Sequence, residues 1–287
     1  MTRTRTTMTT PSDAGLCRGL TAPTFIGKEQ PVSTSDLTTH SATGDSATRL
    51  GFWTAVLTVV LVAVFAVVGI ATPARSGPFC RSECVAYPYV DVARFIPGDY
   101  LWLLPGILLA PTFVVLMACI HAHAAEPKKL FSRIGLSFAV VYAVVILIDY
   151  FLQLTVVVPS LQAGETDGLS LFTQYDPHGI FIALESLGYL MMTVAFLFAA
   201  QVFAGGRVER AIRGLFVLSL AFAVVAFVGL ALLGHDLVAF EVTVLMINWS
   251  VLITSGVLLS VVFRRARQST RLPRGNQTAA RQAEAVR

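Results

Sequence analysis

Charge is what this sequence has least of. Only 13% of its 287 residues are Asp, Glu, Lys or Arg, while 55% are apolar and the mean hydropathy is +0.71. A water-soluble domain carries roughly 25% charged residues, so this chain cannot coat a surface of its size and a soluble globule is excluded. Cysteine is scarce too. Cys17, Cys80, Cys84 and Cys119 are too few for a disulfide scaffold, and no two stand as C-x-x-C, which removes metal-finger and thioredoxin-type readings. Lysine is nearly missing, since 18 of the 21 bases are Arg. There is no H-E-x-x-H and no other tight ligand spacing. No apolar run follows the basic start Met1–Arg5, as a secretory signal requires. Asp13, Glu29, Asp36 and Asp45 argue against a transit peptide, a class poor in acids.

Long apolar runs are what the chain has instead. Six recur between charged or turn-forming breaks: Trp53–Ala71, Leu101–Ala125, Ile134–Pro159, Gly179–Gly205, Ala211–Leu233 and Leu237–Phe263. About 20 helical residues cross the roughly 30 Å hydrocarbon layer, where only helices or closed barrels satisfy their backbone. Continuous runs rather than ten-residue alternation choose helices. The expected fold is an all-α integral membrane protein with a bundle of six transmembrane helices over residues 51–263. Residues 1–50, polar and without periodicity, read as a disordered tail. Residues 264–287 read as a basic tail.

The bases set the expected orientation. Eighteen lie in the N-terminal tail, the 126–133 loop, the 206–213 region and the C-terminal tail; three, Arg75, Arg81 and Arg94, lie in the 73–100 loop, and loops 160–178 and 234–236 have none. By the positive-inside rule both termini are cytoplasmic and the 73–100 loop is outside, in a plasma membrane. The run Arg264, Arg265, Arg267, Arg271, Arg274 then reads as a stop-transfer flank beside the lipid bilayer, with no nucleic acid as partner. Phe79, Tyr87, Tyr89, Tyr100 and Trp102 read as an interfacial belt. Pro105 and Pro111 lie inside the second span and predict a kink in its outer half. SFAVV at Ser137–Val141 and AFAVV at Ala221–Val225 share an offset of 84 residues, the trace of either a parallel repeat or chance among common apolar letters.

Three acids lie inside the spans: Asp149, Glu185 and Glu241. Such groups cost several kcal/mol in a bilayer and turn toward a partner or a water cavity. Helical rise sets them about 13, 9 and 6 Å inside the outer ends of their spans. Residues three, four or seven apart share a face. Tyr142 and Gln153 therefore align with Asp149, His178 and Tyr189 with Glu185, and Asn248 and Ser255 with Glu241. The third, fourth and sixth spans are expected to line a polar cavity open to the outside, with the first and fifth as packing or lipid-facing helices. The other account of the same residues is interhelical hydrogen bonding that holds the bundle together.

None of the spans sets a base beside these acids, so ion pairing needs His178, His235 or a bound cation. A proton or cation is thus the expected ligand, and Asp149, Glu185, Glu241, Gln153, Tyr189 and Asn248 are its candidate site. Glu165, Asp167, Asp176 and Asp236 give the mouth a negative cast that concentrates cations. Histidine keeps a metal alternative open: His178, His235 and Asp176, with the span carboxylates, suit a mixed zinc site that activates water. Haem needs histidines at matched depth, which only His178 and His235 offer; His121 and His123 read as interfacial imidazoles. Cys80 and Cys84, in CRSEC, have a spacing compatible with a disulfide in an oxidising compartment. Cys119 reads as a buried small apolar residue.

Leu171–Met192, LFTQYDPHGIFIALESLGYLMM, resembles uncharacterised prokaryotic multi-pass membrane proteins. The likeness runs mainly through residues 135–230 and excludes both tails. It implies the multi-pass fold and no activity, and so assigns no catalytic role to Asp176, His178 or Glu185. Within it, Asp-Pro-His-Gly reads as a turn entering a helix, with Asp176 as cap and Pro177 in the first turn. A small transporter or ion-binding protein is the leading functional expectation. A membrane-embedded metal-dependent enzyme and a structural or sensory subunit are the alternatives.

Overall fold

The computed structural model describes residues 34–234 and 236–271. Residues up to 33 with Cys17, His235, and the basic tail from residue 272 lie outside the described residues. The described residues are helical, with no strand among them. Six helices are long and apolar enough to cross a membrane. They are α1 (Thr34–Ala71), α2 (Leu103–His123), α3 (Lys129–Leu152), α4 (Ile180–Ala199), α5 (Arg207–Leu233) and α6 (Leu237–Arg271).

Several boundaries differ from the sequence reading; α5 begins at Arg207 and α6 runs on to Arg271, and three others have a clear physical reason. α1 reaches back to Thr34, into the segment read as a disordered tail. Extending a helix from an apolar nucleus needs one hydrogen bond per residue fixed and no new nucleation, so polar residues can continue it. α3 does not stop at Pro159. It runs on through a π-helical turn, Gln153–Val157, into a last turn, Val158–Ala163, where Pro159 needs no helical N–H. α2 begins at Leu103, which puts Pro105 in the first turn and leaves only Pro111 inside the helix.

α2, α3, α4, α6 and α1 follow one another around a ring of packed neighbours, and α5 lies against α4 and α6. The long α1–α6 and α3–α4 contacts use glycine for close approach. A Cβ on Gly256 of α6 would stand 2.6 Å from Val59 of α1, and one on Gly188 of α4 would stand 2.7 Å from Ile146 of α3. Small residues of this kind bring helix backbones together where hydrophobic exclusion from water cannot. Around the outside, large apolar side chains remain exposed, among them Val60, Val64 and Val67 of α1, Val144 and Ile148 of α3, and Phe222 and Val225 of α5. An apolar periphery this extensive is unlike a surface made for water.

α4 and α6 are joined by polar contacts in the core. The Asn248 side-chain amide donates to the Thr193 hydroxyl at 3.2 Å and to the Val244 carbonyl at 2.9 Å. Its carbonyl oxygen accepts from Thr193 at 3.3 Å. Interhelical bonds of this kind contribute about 1 kcal/mol. Asn248→Leu is therefore expected to lower the melting temperature of the purified protein by about 2–4 °C, readable by circular dichroism; an unchanged melt would show that the clamp contributes nothing.

Candidate functional site

One end of the bundle carries the loops 72–102 and 164–179, and these form a cap. Its centre is Arg75, four residues beyond the end of α1 and only 8% exposed. Arg75 Nε donates to Asp99 Oδ2 at 2.9 Å, Nη2 to Asp99 Oδ1 at 3.4 Å, and Nη1 to Glu83 Oε2 at 2.6 Å. The guanidinium also lies 3.6 Å from the Phe95 ring centroid. The hydrogen bond with Asp99 keeps Arg75 charged, raising its pKa against the desolvation that opposes it. Tyr175 OH donates to the same Asp99 carboxylate at 3.2 Å, and Gln174 to the Asp99 backbone carbonyl at 3.1 Å. Burial, then the neighbouring Tyr100 and Asp99, push the Tyr175 phenol up, so it stays a donor. Cys80 and Cys84 form a disulfide in the first of these loops, with Cα atoms 5.8 Å apart.

Under this cap lies a cavity of about 290 Å³. α1, α4 and α6 line it, together with the two loops. Arg75, Ser76, Asp99, Gln174 and Tyr175 line its cap side, and Glu185 and Glu241 reach it from inside the bundle. Four aromatic rings, Phe65, Trp102, Phe181 and Trp249, stand in its walls. Phe65 lies 4.8 Å from Trp249 and stacks on Trp102 at 5.7 Å between centroids, and Trp102 meets Phe181 edge to face at 5.9 Å.

Glu185 and Glu241 are 2% and 6% exposed, and their carboxyl groups are within hydrogen-bonding reach of each other. A bond between two carboxyl groups needs a proton on one of them. Tyr150 OH donates to Glu185 Oε1. Around this pair the interior holds polar atoms with no well-formed partner: Asp149 Oδ2, Ser186 Oγ and the Tyr142 hydroxyl. Buried polar groups are nearly always satisfied. Orphans gathered around one carboxyl pair set this region apart from an ordinary helix interface.

The sequence candidates therefore separate. Glu185 and Glu241 share the cavity. Asp149 is buried and electrostatically coupled to Glu185, but it is not in the cavity wall. Because α3 continues to Ala163, Asp149 lies about 20 Å from that end by helical rise, deeper than the sequence boundary implied. Gln153 bonds the Phe172 carbonyl at 2.5 Å and the Gln174 N–H at 3.2 Å, tying α3 to the cap. Asn248 is the α4–α6 clamp, and the Tyr189 backbone carbonyl accepts from it at 3.4 Å.

His178 is exposed, and Asp176 accepts its backbone N–H at 3.0 Å. Asp176 is not the helix cap that the sequence suggested. α4 starts at Ile180 from Gly179, where a Cβ would stand 2.9 Å from the Leu171 carbonyl. Asp236, expected in the acidic mouth, accepts the Val238 N–H at 2.7 Å at the start of α6. Among the described residues no three of His, Cys, Asp and Glu come together as a metal would require. His121 Nδ1 meets Ser132 Oγ at 2.7 Å, and His123 packs edge to face on Phe263, so both imidazoles serve packing.

Sequence reasoning passed over Arg75, Asp99, Tyr150 and the aromatic walls. It also gave α1 no part in the cavity and gave α3 too much. Trp102, read as part of an interfacial belt, lines the cavity, and Tyr100 is buried. One signal was present: Arg75 is among only three bases in the loops of its side, and Asp99 follows Gly98 four residues before α2.

Comparison of the chain with protein-family models, curated proteins and solved structures gives no match.

Proposed function

We propose that this chain is a multi-pass protein of the plasma membrane, with both termini cytoplasmic and its capped end outside, that binds a proton or cation at Glu185 and Glu241 as a small transporter or ion-binding protein. The observation that carries this reading is a carboxyl pair in a cavity whose only base among the described residues, Arg75, is already matched by Asp99 and Glu83. The net charge facing the cavity is negative, which favours a cation or an added proton. Asp149, Tyr150 and the orphaned hydroxyls behind the pair supply further polar groups along which a proton can move inward. The distribution of bases supports the orientation, since the 126–133 and 206–213 segments lie at the bundle end opposite the cap.

The test is proton uptake into proteoliposomes carrying a pH-sensitive dye, driven by an imposed pH step. The wild type is expected to take up protons. Glu185→Gln and Glu241→Gln are expected to fall to the level of protein-free vesicles, while Glu165→Gln on the exposed loop matches wild type. Unchanged uptake in both cavity variants would overturn the reading. Labelling of an introduced Thr166→Cys by a membrane-impermeant maleimide from outside intact cells checks the orientation; labelling only after permeabilisation would reverse it.

A further inference from the structure

The walls of the cavity narrow down which cation it takes. Calcium and magnesium require six or more oxygen ligands. Here two carboxyl groups meet a lining that is otherwise mostly apolar, with Ile70, Val242, Leu245 and Met246 beside the four aromatic rings. Such a surface leaves most of the coordination sphere of a hard metal ion unfilled. It does match a cation that carries its own apolar body. Aromatic faces attract an ammonium group through their quadrupoles, and rings gathered around one space are the usual means of holding organic ammonium ions. Phe65 is central to the box, because it touches Trp249 on one side and Trp102 on the other. An anion is disfavoured, since the Arg75 guanidinium is held by two carboxylates.

We propose that the cavity binds a small organic ammonium ion, its cationic head on the Glu185–Glu241 pair and its flat or branched apolar body against the wall formed by Phe65, Trp102, Phe181 and Trp249. This rests on the proton- or cation-binding reading and names the ligand class for the same site. A space of about 290 Å³ equals about ten water volumes, so the ligand has about ten non-hydrogen atoms. The ammonium replaces the proton shared by the two carboxyl groups: that proton leaves to solvent, the carboxylates become two acceptors, and the ammonium N–H groups donate to them. Charge is balanced because one cation enters as one proton departs.

The experiment uses the full chain in lipid nanodiscs and three probes with similar bodies: 2-phenylethylamine, 2-phenylethanol and 3-phenylpropanoate. Titration calorimetry in two buffers of different ionisation enthalpy is expected to show saturable amine binding with release of one proton per amine. The alcohol and the acid are expected to bind at least about tenfold more weakly, as lost charge pairing implies. Glu241→Gln removes the proton release and weakens the amine to the level of the alcohol. Glu241→Asp, which keeps the charge, retains proton release and so excludes misfolding as the cause. Trp249→Leu weakens amine binding by about tenfold through lost ring contact with the apolar body. Equal affinity for alcohol and amine, amine binding unaffected by Glu241→Gln, or no amine binding up to millimolar concentration would each overturn the proposal. Where amine binding is absent but proton uptake still depends on Glu185, the ligand class fails and the proton-binding reading stands. Where uptake is independent of both glutamates, that reading fails itself.

Discussion

Arg75→Met is expected to lower the melting temperature of the purified protein by about 6–12 °C. The substitution keeps most of the side-chain volume over Phe95 but removes the guanidinium that meets both Asp99 oxygens and Glu83. Asp99 is only 5% exposed. It would be left as a buried carboxylate with Tyr175 OH as its remaining side-chain donor. Removing one partner of a buried pair costs about 3 kcal/mol because the other charge stays desolvated, and each kcal/mol moves the melt of a chain of this size class by about 2–4 °C. Glu83 is largely exposed at 62%, so its pair with Arg75 is screened and Glu83→Gln is expected to shift the melt by only about 1–2 °C. The double variant Arg75→Met/Asp99→Leu removes both charges and should recover most of the loss, giving a large coupling in a double-mutant cycle. Additive effects of the two single changes would show that the buried pair does not hold the cap.

Gly106→Ala is expected to destabilise the protein by about 2 kcal/mol and to suppress proton uptake together. A Cβ at this position of α2 would overlap the Tyr150 ring and come within 3.2 Å of Phe65. Both neighbours are fully packed, at 0% and 1% exposure, so neither ring has room to retreat, and overpacking of this kind costs about 1–3 kcal/mol. The functional loss follows from the same contact, because Tyr150 is the residue whose hydroxyl donates to Glu185. Two further variants separate the effects. Tyr150→Leu in the Gly106→Ala background relieves the overlap and should recover only part of the melt, because Glu185 loses its donor, without restoring uptake. Tyr150→Phe in the wild-type background keeps the ring, so it loses uptake at a stability cost of about 1–2 kcal/mol for the orphaned acceptor. Full uptake in Tyr150→Phe would remove this tyrosine from the site.

The linear order of residues was enough to find six long apolar helices. Their largest shifts came where a helix could extend past its apolar run, as at Thr34 and Ala163. It also reduced the buried acids to Asp149, Glu185 and Glu241, because a carboxylate among apolar residues is conspicuous in any window of the sequence. Helical spacing identified Asn248 and Gln153 as inward-facing, and both are buried and hydrogen-bonded.

Which of these residues meet was decided by tertiary packing alone. Periodicity fixes a face of one helix but not the rotation of that helix against its neighbours, which side-chain packing sets. Hence Glu185 and Glu241, 56 positions apart in the numbering, share a cavity while Asp149 stands behind it. The cap was hidden for a related reason. Arg75 and Asp99 lie in loops on either side of an irregular segment without period, and only the closed loop brings guanidinium and carboxylate to 2.9 Å. Sequence determined which groups this protein takes out of water; the fold decided which of them face one another across a space that a ligand can enter.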